Sequence, residues 1–315
     1  MLTVLKAGAL TTLQDGGRYG WQRFGVPVCG AMDTLALSVC NLLCGNDESE
    51  AALEITGGGC KLRFDSYNVF ALAGADCGAT LDGVPIEPNR AYCAKQGDEL
   101  SLGFPKSGFR AYLAVAGGFD APVVMGSRST CRKAGFGGFH GGEAVQTGDT
   151  LPFRAPELTL HDMADRVAPR ALCDRAPRPV RLVLGPQEDH FTTHGIRTLF
   201  ACLYRLTPDS DRMGYRLSGP AVEYAEGRDG NILSDGVAQG AVQIAGGKPI
   251  IMMADRQTTG GYAKIATVAS VDLPLLAQMV GGAELRFAEI SVEEAQALLL
   301  AQRRALRRLK RAMER

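Results

Sequence analysis

Short apolar runs, each bounded by glycine-rich or charged turns, recur along most of the chain, a pattern that predicts buried strands in preference to long helices. The clearest candidates lie at 69–73, 111–116, Val180–Leu184, Ala241–Ala245 and 249–253. Asp82-Gly83, between Ala79-Thr80-Leu81 and Val84-Pro85-Ile86, predicts a two-residue hairpin, because the primed turn needs positive φ at both central positions. Two stretches change to a helical period. One covers 32–44 and is closed by Gly45-Asn46; the other starts at Ser291, where Ser291 and Glu294 have the capping-box spacing. In this last segment Ala295, Leu298, Leu299, Ala305, Leu306 and Leu309 form an apolar stripe with arginines crowding the other side. The expected class is mainly β, with a few helices and a C-terminal amphipathic helix.

At 315 residues the chain is long enough for two domains, each with its own core. Residues 161–179 hold three prolines and seven charges without a strand period, which places the boundary there. The expected division is a first β domain at 1–165, a second at 178–290 and a basic helix at 291–315. Gly97-Asp98-Glu99-Leu100, Gly148-Asp149-Thr150-Leu151 and Gly282-Ala283-Glu284-Leu285 echo one another, each preceding a short apolar stretch. Gln14 to Gly20 and Ser210 to Arg216 form a second echo, so a duplicated β-architecture is the simplest reading.

Charge is balanced at 34 basic and 34 acidic residues, which argues against nucleic acid or a membrane as the partner of the whole protein. Seven basic residues do fall between Arg303 and Arg315; the reading preferred here is a solvated face on a helix docked by its leucines, over an acidic partner or membrane surface. The nine cysteines include no Cys-x-x-Cys pair and are odd in number, so they read as small buried hydrophobes in a reducing compartment. With no charged leader or long apolar segment in view, the expected location is the cytoplasm.

The richest chemistry lies in Asp255-Arg256-Gln257-Thr258-Thr259-Gly260-Gly261-Tyr262-Ala263-Lys264, directly after the apolar run at 249–253. Strand-end loops present polar groups to ligands, and paired glycines let a backbone come close. Comparable glycine-punctuated polar segments are Gln14-Asp15-Gly16-Gly17-Arg18, Gly30-Ala31-Met32-Asp33, Ser127-Arg128-Ser129-Thr130 and Asp211-Arg212-Met213-Gly214-Tyr215-Arg216. Arg, Asp and hydroxyl groups of this kind suit a carboxylate or a phosphate. A P-loop is absent, since Gly246-Gly247-Lys248 runs into Pro249, and there is no Gly-x-Gly-x-x-Gly fingerprint. His190 and His194 have the i, i+4 spacing of helical metal ligands but lack a third ligand, so no metal site is assigned.

Taken in order, these segments closely resemble the biotin-dependent carboxyltransferase family, also called allophanate hydrolase subunit 2, and best its branch of prokaryotic 5-oxoprolinase C subunits. Gly25-Val26-Pro27, Ala52-Leu53-Glu54-Ile55, Gly117-Gly118-Phe119 and Gly185-Pro186-Gln187 belong to the same likeness, which runs from about Leu13 to Phe287. The resemblance implies two cyclophilin-like β-barrel domains. It also implies one component of an ATP-hydrolysing enzyme that converts 5-oxoproline to glutamate together with A and B subunits. No Met-Lys-Met biotin-attachment segment is present, so this chain is not expected to carry biotin. ATP and magnesium are expected at a site shared with a partner. On residue chemistry and motif position, the expected catalytic groups are Arg212, Asp255, Arg256 and Lys264. Asp33, Ser127, Arg128, Ser129, Thr130, Asp211, Thr258, Thr259 and Tyr262 are the expected substrate-binding groups. The alternatives are a carboxyltransferase component of a urea carboxylase-like enzyme and a regulator that binds a kinase-inhibitor-like partner.

Overall fold

A computed structural model of the chain describes residues 1–156, 160–174 and 176–314. The fold is mainly β, and among the described residues every strand pair is antiparallel except Val180–Leu184 with Phe287–Glu289. The chain groups into two compact units. One comprises Met1–Arg18, Cys29–Asp174 and Arg303–Arg315; the other comprises Tyr19–Val28 and Arg175–Gln302.

In the first unit a six-stranded sheet runs in the order Thr150–Leu151, Leu2–Ala7, Cys60–Phe64, Glu99–Ser101, Thr80–Leu81, Val84–Pro85. A five-stranded sheet follows the order Leu10–Gln14, Ala52–Thr56, Ser107–Val115, Asn68–Asp76, Arg90–Ala94. Leu2, Val4, Leu62 and Phe64 of the first sheet share a core with Leu13, Leu53, Phe70, Leu72, Leu113 and Val115 of the second. Ala52, Val69, Ala71, Ala73, Tyr112 and Ala114 point the other way and pack against the helix Thr34–Leu43 and Leu309. The five-stranded sheet is therefore apolar on both faces, which is why 69–73 and 111–116 read as continuous runs without alternation. Alanines on the helix side let helix and sheet approach closely. The hairpin forms as expected, with Asp82 at φ 50° and Gly83 at φ 78°.

In the second unit eight strands run in the order Glu284–Leu285, Tyr204–Leu206, Gly214–Ser218, Lys248–Met252, Ala241–Ala245, Lys264–Val268, Val180–Leu184, Phe287–Glu289. Its two edge strands, Glu284–Leu285 and Phe287–Glu289, are separated in sequence by Arg286 alone, so the sheet curls until its edges nearly meet. A separate two-stranded ribbon pairs Asn231–Gly236 with Thr259–Tyr262. The sequence echoes recur as geometry. Gly97, Gly148 and Gly282 all have φ between 88° and 97° in turns that lead into short strands.

The helix Val292–Met313 carries the anticipated capping box: Ser291 N donates to Glu294 Oε2 at 2.8 Å, and Glu294 N donates to Ser291 Oγ at 3.1 Å. Among the described residues no helix is long and apolar enough to cross a membrane, and the cysteines form no disulfide.

Candidate functional site

In the second unit, the strand Lys248–Met252 is central in the sheet and delivers its C-terminal end to the turn at Asp255. That turn is tied down by main chain: Met253 N donates to Met213 O at 2.9 Å and Asp255 N to Arg212 O at 2.8 Å. Arg212 then grips Asp255 with two parallel bonds, Nε to Oδ2 at 2.9 Å and Nη2 to Oδ1 at 2.8 Å, and is only 8% exposed. Asp211 closes its own turn by accepting from Met213 N at 2.8 Å and Gly214 N at 3.1 Å. Arg256 donates from Nε to Val237 O at 3.0 Å and from Nη1 to Met253 O at 3.4 Å. The pair Arg212–Asp255 thus fastens two motif segments together, and Arg256 fixes the base of the two-stranded ribbon.

Lys264 lies where further motif segments meet. Its side chain is 6% exposed, and Nζ sits 3.4 Å from Asp235 Oδ2, on a carboxylate that is 64% exposed. Its backbone N–H donates to Gln187 Oε1 at 3.1 Å, while the buried Gln243 donates from Nε2 to Tyr262 O at 3.3 Å. Gly185 is required by proximity: a Cβ there would lie 2.3 Å from Lys264 O and 2.9 Å from Ala266 N. Gly260 is similarly crowded by Gln243 Nε2, 2.8 Å from where its Cβ would stand. The Asp235 carboxyl is held below the usual range, first by the Gly236 N–H and then by Lys264.

A cavity of about 390 Å³ opens beside this region, lined by Gln22, Val28, Gly236, Val237, Arg256 and Thr258. Thr259 and Tyr262 are exposed on the ribbon strand. Arg256 and Thr258 line this cavity, while Lys264 meets the ribbon through Asp235, and the Arg212–Asp255 pair holds the turn that carries Arg256. The recess combines apolar and polar lining with Arg256 as its cation, a mix suited to a small ligand that bears a carboxylate or a carbonyl oxygen.

The remaining expected residues lie in the first unit. Asp15 is the centre there: Oδ1 accepts from Gly17 N at 2.8 Å, from Ser127 Oγ at 2.8 Å and from Ser129 Oγ, and Oδ2 accepts from Arg128 N at 2.6 Å. The Ser127 and Ser129 hydroxyls are thus committed to an internal carboxylate. Arg128 reaches Ala121 O at 3.1 Å and comes within 3.7 Å of Glu50. Thr130 is buried, with its backbone N–H on Leu13 O at 2.9 Å. Asp33 is the N-cap of the helix Thr34–Leu43, accepting from Ala36 N at 2.8 Å, and its own N–H donates to Tyr112 Oη at 2.8 Å. Tyr112 in turn donates to Glu54 Oε2 at 2.6 Å, and burial followed by the Glu54 charge pushes its phenol well above the ordinary value. Arg18, fully buried, donates to Val124 O and Ser129 O at 2.8 and 2.9 Å and lies over the Phe136 ring. These interactions pin the phrases Gln14 to Arg18 and Gly126 to Thr130 against each other.

Sequence reasoning passed over Asp235, Gln243, Gln187 and Asp15 as individual groups. Gln187 and Asp15 stand inside phrases already singled out, so their signal was present. Asp235 and Gln243 lie in plain strand sequence, and only the pairing of Asn231–Gly236 with Thr259–Tyr262 and of Gln243 with Lys264 reveals them. His190 ends a short 3-10 turn, Glu188–His190, and His194 belongs to the separate helix Thr193–Ala201, so the two do not share a helical face. Among the described residues no three His, Cys, Asp or Glu side chains gather as a metal group.

The fold and the ordered motif segments define a carboxyltransferase-type protein. The family model for the carboxyltransferase domain, subdomain A and B, matches residues 24–289, and the chain belongs to that family. Among curated relatives, the C subunit of Escherichia coli 5-oxoprolinase is 40% identical over 296 residues, 94% of this chain and 93% of that protein. The protein of the same name from Haemophilus influenzae is 36% identical over the same shares. Among solved structures, the urea amidolyase of K. lactis matches with a TM-score of 0.91 at 31% identity, covering 98% of this chain and 20% of that one. The chain therefore corresponds to about a fifth of that longer protein.

Proposed function

We propose that this chain is the C-type subunit of an ATP-dependent 5-oxoprolinase, an enzyme that opens the lactam of 5-oxoproline to give glutamate. The observation that carries the reading is the likeness to 5-oxoprolinase C subunits over nearly the full length of both chains. The recess beside Arg256, with Lys264 reaching the adjoining ribbon through Asp235, fits the chemistry. 5-Oxoproline is a small lactam bearing one carboxylate, and its ring opening develops negative charge on the carbonyl oxygen. In this reading Lys264 and Arg256 neutralise the substrate's charge, with Thr258, Thr259 and Tyr262 at the ribbon edge fixing its orientation. Arg212 and Asp255 act as positioning residues, because their mutual bonds hold the turn that carries Arg256.

ATP and magnesium are assigned to a site completed by a partner; the sequence has no P-loop to cradle phosphates. A B-type and an A-type subunit are the expected partners, and the expected location is the cytoplasm. The test is glutamate release from 5-oxoproline with ATP and magnesium, using this chain and candidate A and B subunits and omitting each in turn. Loss of activity on omitting this chain supports the reading; full activity without it rejects the reading.

The likeness to urea amidolyase favours one second reading, a carboxyltransferase component that transfers a carboxyl group from a biotinylated partner. Activity that depends on a biotinylated protein, and on no lactam, would select it.

A further inference from the structure

The overall charge balance conceals a strong segregation. Taking away the seven basic residues and one acidic residue of 303–315 leaves 27 basic and 33 acidic residues, so a cationic helix end is attached to a net acidic body. Within Val292–Met313, the side chains of Arg303, Arg304, Arg307, Arg308, Lys310 and Arg311 are all exposed. At 3.6 residues per turn they cover an arc of about 160° along about 12 Å of helix. Leu306, Leu309 and Met313 occupy the opposite side and pack into the core of the first unit.

This arrangement carries an internal cost. Arg303 with Arg307, Arg304 with Arg308, and Arg307 with Arg311 are like charges at i, i+4, each pair weakening the helix. Among the described residues the one ion pair made by this face is Lys310 Nζ with Asp47 Oδ1, at 4.0 Å. A helix that needed only solubility would interleave acidic residues, as such faces usually do.

We propose that this arginine face is a docking surface for an acidic face of a partner subunit, an inference that rests on reading the chain as one member of a complex. Two features select a protein carboxylate surface over other polyanions. The apolar side of the helix is already buried against the first unit, so it is not available to enter a lipid interface. No aromatic residue is interleaved among the cations to stack on bases. Five of the six exposed cations are arginine, whose planar fork pairs carboxylates bidentately, as it does phosphates, so composition accords with a carboxylate partner and the first two features make the choice. The face spans about two helical turns, enough for several such pairs at once.

The test titrates this chain with purified candidate A and B subunits at low and moderate salt. It compares wild type with R304E/R307E/R308E and with the charge-conserving R304K/R307K/R308K; circular dichroism verifies that both variants keep their helix. The account predicts that charge reversal weakens binding to one of the two partners at least tenfold, that the lysine variant loses less, and that wild-type affinity falls steeply with salt. Unchanged affinity of the reversed variant overturns the docking surface and leaves the proposed function standing. Failure of the wild-type chain to bind either partner overturns both. Loss of binding to phosphatidylserine vesicles or to an RNA oligonucleotide, with partner affinity intact, also overturns it and points to that other polyanion.

Discussion

Lys264 Nζ lies 3.4 Å from Asp235 Oδ2, yet the lysine side chain is 6% exposed and the carboxylate 64% exposed. The cation is thus held inside while its counter-charge faces water from the neighbouring ribbon strand. Such an asymmetric pair keeps the ammonium in place without fully neutralising it, because solvent screens the partner. Asp235→Asn is expected to raise KM for 5-oxoproline several-fold in the assembled enzyme while changing kcat much less. Steady-state kinetics of the variant checks this.

Gly185 packs directly against the backbone of the Lys264 strand, its N–H donating to Ile265 O at 2.8 Å. Gly185→Ala places a methyl group 2.3 Å from Lys264 O, which forces the strands apart. The expected outcome is a fall in activity of more than tenfold, with a loss of stability of about 2 kcal/mol, read from initial rates and urea denaturation.

Asp15 is expected to be structural. Asp15→Ala strands the Ser127 and Ser129 hydroxyls and the Arg128 N–H, and the cost is about 3 kcal/mol of stability in the first unit. Asp15→Asn should recover part of it. Chemical denaturation of both variants provides the comparison.

Asp272 is expected to contribute to stability in a pH-dependent way. Its side chain is fully buried, and Arg181 binds it from Nε at 2.8 Å and Nη2 at 2.6 Å, with Arg178 Nη2 at 3.0 Å. Burial pushes the carboxyl up, but these bonds outweigh it and hold it below the usual range. A lowered folded-state pKa means that the stabilisation is complete above the unfolded value of about 4 and is lost as pH falls through the folded value. Asp272→Asn should cost roughly 2 to 3 kcal/mol at neutral pH, and the gap to wild type should close only well below pH 4, as thermal melts across pH can measure.

Much of the architecture was legible in the chain. Asp82-Gly83 needs two positive φ angles, and Ser291 with Glu294 makes a reciprocal cap, so local chemistry alone specifies both features. The runs at 69–73 and 111–116 were legible as strands because both of their faces are buried. The site was legible as segments but not as contacts. Ser127 and Ser129 carry the hydroxyls expected of a binding loop, and only the fold reveals that Asp15, over a hundred residues away in sequence, takes them up. Asp235 could not be found from sequence, because its relevance comes from a strand pairing across a bulge between Asn231 and Asp235.

The most direct test of the central claim compares glutamate release from 5-oxoproline by the assembled enzyme containing either the wild-type chain or Lys264→Met. Methionine keeps the length and apolar stem of the side chain but removes the charge. The account predicts a loss of at least a hundredfold, about 2.7 kcal/mol of transition-state stabilisation, with the complex still assembled. Wild-type turnover by an assembled Lys264→Met enzyme would contradict it.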